Sequence, residues 1–74
     1  MARITLVFRL SGPQAQQDLL REFSLHHDVA AVADRVDGSP VVRVETTDSA
    51  SAVWDVRATI GMYDDAATEL KDYV

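Results

Sequence analysis

The 74 residues make a single domain, predicted over 1–74, with 47% apolar and 26% charged residues; these shares exclude disorder despite a net charge of −5. The absence of cysteine excludes a disulfide framework and a thiolate zinc site. No apolar run approaches the ~20 residues that span a bilayer. The opening Met1-Ala2-Arg3-Ile4 runs into a strand pattern without a signal-peptide layout, so the expectation is a soluble cytoplasmic protein with no membrane contact.

Residues 3–10 alternate strictly, with Ile4, Leu6, Phe8 and Leu10 on one face and Arg3, Thr5, Val7 and Arg9 on the other. Period two predicts a half-buried strand. Ser11-Gly12-Pro13 stops it, and Pro13 suits a first helical position, where an N–H is not needed. A helix over Pro13–Leu25 would place Ala15, Leu19, Leu20 and Phe23 on one stripe. His26-His27-Asp28 then makes the exit turn.

Val29–Val36 reads as a second strand and Val41–Thr46 as a third. Asp37-Gly38-Ser39-Pro40 between them is a turn signal, which makes the two a hairpin. Thr47 or Asp48 is expected to cap a second helix over Ser49–Ile60, with Ala52, Val53, Val56 and Ile60 inward and Gly61 ending it in a left-handed conformation. Trp54 falls one residue off that stripe, which suits a filler at the core edge better than an interface anchor. In 62–74, Tyr63, Ala66, Ala67, Leu70 and Val74 recur at three- and four-residue spacing, predicting a third helix over 64–74. The rival is a short fourth strand around Glu69–Val74.

The predicted fold is α+β, in the order strand, helix, strand, strand, helix, helix. The third strand should lie between the first and second in a three-stranded antiparallel sheet, with the helices on one face. Arg3, Arg9 and Arg43 would stand on the uncovered face.

Charge is unevenly spread along the chain. Residues 1–44 hold five arginines and five acids, whereas 45–74 hold seven acids against Arg57 and Lys71. The whole net charge therefore lies in the last thirty residues. On a third helix, Asp65, Glu69 and Asp72 would share one face at i, i+4 and i+7. Such a face is either a solvated surface or one aimed at a basic partner. Asp55, Asp64, Asp65, Glu69 and Asp72 are accordingly the candidate partner-binding residues.

The residues that could carry chemistry are few. Both histidines are adjacent, and no serine lies in a nucleophile-elbow context, so catalytic residues are not expected. His26-His27-Asp28 is a weak metal pattern, better explained by a histidine near the last carbonyls of a helix. The three glycines are isolated and form no phosphate loop. Overall acidity without base-stacking aromatics argues against direct nucleic-acid binding. The expectation is a monomeric, non-enzymatic binder without cofactor or metal.

In size, lack of cysteine, Met start, missing enzyme motifs and clustered carboxylates, the whole chain resembles the small acidic stand-alone phage inhibitors known as anti-CRISPR proteins. That likeness implies a protein that covers a basic DNA- or PAM-contacting surface of a CRISPR effector complex, some members doing so as DNA mimics. In element order the first sixty residues also resemble ACT-like regulatory domains. Leu10-Ser11-Gly12-Pro13 stands where that family's ligand loop meets its first helix, which implies small-ligand binding. Those domains place a glycine after the turn and close with a fourth strand; here Gly12 precedes Pro13.

Overall fold

The computed structural model describes residues 2–70. In chain order the elements are β1 (Arg3–Arg9), α1 (Pro13–Phe23), β2 (Ala30–Val36), β3 (Ser39–Thr47), α2 (Ala50–Tyr63) and β4 (Thr68–Glu69). The sheet is four-stranded, in the order β2-β3-β1-β4, and every pairing is antiparallel. β1 and β2 therefore run parallel with β3 between them, and β3 and β4 run parallel with β1 between them. This is the split βαβ arrangement of a βαββαβ chain.

The predicted β1, its alternation and the central position of β3 hold. Ile4, Leu6 and Phe8 face Thr46, Val44 and Val42 across the ladder. They meet Leu19 and Phe23 of α1 and Val56 and Ile60 of α2 in one core. Both predicted helical stripes point inward, with Ala15, Leu20 and Val53 packed at the margin of that core.

The helix boundaries differ from expectation at three ends. α1 stops at Phe23 because the next amides turn tightly, Leu25 N donating to Glu22 O and His26 N to Phe23 O. α2 is capped by Ser49, whose Oγ accepts from Ala52 N at 3.2 Å, and not by Thr47 or Asp48. The Asp48 amide is held by Ala2 O, leaving Ser49 in the extended backbone that a cap requires. Gly61 does not end α2, which continues to Tyr63; only Gly38 among the glycines has positive φ.

The predicted third helix is the main correction, and with it the three-stranded sheet and the closing helix of the element order. α2 ends at Asp64 in extended backbone, and residues 65–66 turn back toward β1. Thr68 and Glu69 then pair with Arg9 and Phe8, and Leu70 N donates to Val7 O at 2.8 Å. The free edge of β1 offers backbone partners to this segment, and long-range pairing overrides its local helical spacing. Residues 71–74 of the predicted helix, Asp72 among them, lie outside the described residues. So does most of the alternative strand.

The register places Arg3, Arg9 and Arg43 on the face without helices, as predicted. That face is not a field of free arginines, however. Arg3 pairs with Glu45 at 3.5 Å and Arg43 with Asp34 at 2.6 Å. Val7 and Val41 are buried on the same face, beside the stems of cross-strand Arg43 and Arg9.

The β2–β3 turn is the two residues Asp37 and Gly38, with φ of 51° and 80°. Two positive φ values in a two-residue hairpin make a type I′ turn, which matches strand twist. Gly38→Val is expected to destabilise the domain by roughly 1–3 kcal/mol, because a β-branched residue resists positive φ. A urea denaturation midpoint that does not move would contradict this reading of the turn.

Candidate functional site

Of the five candidate carboxylates, Asp72 lies outside the described residues, and the other four stand in different settings. Asp64 is only 7% exposed and points inward. Its Oδ2 accepts from Ser11 N at 2.7 Å and its Oδ1 from Ala66 N at 3.1 Å. Glu69 takes a two-pronged bond from Arg57, Nε to Oε1 at 2.8 Å and Nη2 to Oε2 at 3.2 Å. Asp65 is exposed on the turn after α2, and Asp55 is exposed on α2 itself. The charge of the last third is thus partly consumed inside the fold.

The outward face of α2 is the feature that periodicity understated. Val53, Val56 and Ile60 face the core, while Trp54, Ala58, Gly61 and Met62 recur every one to four residues on the opposite side. Trp54 is 68% exposed and Met62 82%, so Trp54 is not a core-edge filler. A helix apolar on both sides is expected to be covered on both. A Cβ at Gly61 would meet nothing within 4 Å, so no neighbour within the chain requires a glycine there.

The histidines lie where α1 hands over to β2. His26 Nε2 is 3.1 Å from Glu22 Oε2, and its ring stands edge-on to Phe23. Tyr63 Oη donates to Glu22 Oε1 at 2.7 Å, so Glu22 joins the end of α2 to the end of α1. That bond first, and the one with His26 second, hold the Glu22 carboxyl below its ordinary 4.5; the same contact raises the Tyr63 phenol above 10.0. Among the described residues no group of three or more His, Asp or Glu is placed to hold a metal ion.

A cleft of about 480 Å³ opens between this turn and the start of α2. Phe23 and Val56 form its buried floor. His27 and Asp28 line one side, Thr47, Ser49 and Asp55 the other. Asp55, a candidate residue from the sequence, reaches this cleft. Asp28, which the charge count passed over, joins it there through the return of the chain from α1 to β2.

Comparison with models of protein families gives no match, and comparison with curated proteins gives none either. Among the described residues no helix is long and apolar enough to cross a membrane.

Two outcomes are expected from these contacts. Asp64→Ala should destabilise the domain by about 1–3 kcal/mol by stranding the Ser11 amide, whereas Asp65→Ala should stay within about 0.5 kcal/mol. Equal effects in thermal melts would remove the structural role given to Asp64. Glu22 has a depressed pKa, so its contribution is present above 4.5 and fades as pH falls through its lower folded value. The stability gap between wild type and Glu22→Gln should therefore shrink on acidification. Asp34 is also depressed, by Arg35 N first and Arg43 second, so the gap and not the wild-type curve is the readout.

Proposed function

We propose that this chain is a non-enzymatic protein-binding domain, and that the outward face of α2 is its docking surface. The observation that carries the reading is Trp54, exposed on the side of α2 opposite the core stripe and accompanied by Met62. Tryptophan is enriched where interfaces concentrate their energy, since it brings a large apolar area with little rotamer entropy to lose. Asp55 follows Trp54 in sequence and forms no ion pair among the described residues, which favours a basic partner. The partner we propose is a lysine- and arginine-rich surface of a CRISPR effector complex, blocked against DNA or PAM by an inhibitor. Mimicry of DNA by a regular row of carboxylates loses support with the third helix; an apolar anchor beside acidic residues takes its place.

The structure favours a second reading on one point. β4 closes the sheet, which removes one departure from the ACT-like pattern. The other remains: Gly12 caps α1 without a side-chain bond, and the adjacent Ser11 amide is already taken by Asp64. A ligand bound at this loop would have to displace an internal carboxylate.

Trp54 is the single tryptophan, so its fluorescence reports docking directly. Adding a purified effector complex should shift its emission to the blue, and target DNA should compete. Trp54→Ala should weaken binding by about 2 kcal/mol or more while leaving stability within about 0.5 kcal/mol. Asp55→Lys should slow association and flatten its dependence on salt. Unchanged emission together with wild-type binding by Trp54→Ala would move the interface elsewhere.

A further inference from the structure

The cleft beside α2 has a chemistry of its own, separate from the apolar face that carries Trp54. Its apolar lining with surface to offer is Leu25, Val29 and Ala52, over the buried Phe23 and Val56. Its mouth carries the carboxylates of Asp28 and Asp55, which come from different elements and are both exposed. Neither carboxylate bonds to any described residue. The guanidinium that touches this turn is committed otherwise: Arg3 donates to the backbone oxygen of Asp28 at 3.1 Å and pairs with Glu45. His26 is held by Glu22. The volume, about 480 Å³, is that of a small-ligand site.

We propose that this cleft binds an alkyl cation, an ammonium or guanidinium group carried on an apolar stem. The stem lies along Leu25, Val29 and Ala52, and the charged end is held by Asp28 and Asp55. Such amphipathic groups bury their stems and leave the charge at a wet rim, which is the division this cleft offers. An anion would meet two carboxylates, and a bare metal ion would find too few ligands. The source is a lysine or arginine side chain of a polypeptide, or a free organic amine of similar shape. The site shares Asp55 with the proposed docking face of α2, but the cleft is formed whether or not α2 docks a protein.

The test is a ¹H–¹⁵N NMR titration of the full chain with Nα-acetyl-arginine amide, Nα-acetyl-lysine amide and the neutral Nα-acetyl-citrulline amide. Both cations are expected to give saturable shifts at the amides of Phe23, Asp28, Ala52 and Val56, and the tighter of the two shows whether the preferred group is a guanidinium or an ammonium; butylamine, tested alongside, binds as tightly only if a free amine is the source. Citrulline should bind roughly five- to tenfold more weakly, as should the arginine probe to Asp28→Asn/Asp55→Asn, whose own spectrum should otherwise match wild type. Absence of saturable shifts with both cations, or equal binding of citrulline, would overturn the proposal. Either result leaves the Trp54 emission and the Trp54→Ala measurement standing, because neither alters Asp28 or Asp55.

Discussion

The carboxylate of Asp64 joins two turns that are far apart in sequence, accepting from Ser11 N before α1 and from Ala66 N after α2. Without an acceptor, the Ser11 amide would be stranded beside a proline-led helix whose cap residue, Gly12, has no side chain to offer. With it, the end of α2 is fixed against the end of β1. The chain leaving Asp64 is then aimed along the open edge of β1, where Thr68 and Glu69 pair and Arg57 meets Glu69. One buried acid thus ties the end of α2 to the end of β1 at the point where the chain turns toward the fourth strand.

The same residue reshapes the electrostatics. A charge count treats every carboxylate as available to a partner, but folding distributes them unequally. Asp64 and Glu69 satisfy groups within the domain, and Asp34 and Glu45 offset arginines on the helix-free face. Among the described residues, exposed acids without an ion pair are left at Asp28, Asp37, Asp48, Asp55 and Asp65, of which Asp28 and Asp55 line the cleft. The negative charge is therefore spread over several turns and α2, with two of its members brought to one concave site by the fold.

Strict alternation made β1 readable from the sequence, because each apolar residue from Ile4 to Leu10 has one possible face. Asp37-Gly38 made the hairpin readable, since few other dipeptides accept both positive φ values. The stripes of α1 and α2 were legible for the same reason of period. The last segment was not. Tyr63, Ala66, Ala67 and Leu70 fit a helical period, and nothing local announces that β1 has an unpaired edge sixty residues away. Trp54 was misread because period analysis seeks one stripe per helix, and α2 has two. Asp28 and Asp55 are twenty-seven positions apart in sequence, so their convergence exists only in the folded chain.

A domain of this size cannot cover every apolar surface it makes, and α2 shows where that limit falls. One side of the helix completes the core with Val56 and Ile60; the other presents Trp54 and Met62 to solvent. Asp55 stands between that outer side and the cleft, one residue from each of Trp54 and Val56. A basic partner seated on Trp54 and a cation held in the cleft would then draw on a single carboxylate. If the two are separate ligands, each weakens the other by the same factor, because coupling between sites is reciprocal. If they belong to one polypeptide, its apolar anchor and its basic side chain are joined covalently, and the second contact adds to the first as an intramolecular step.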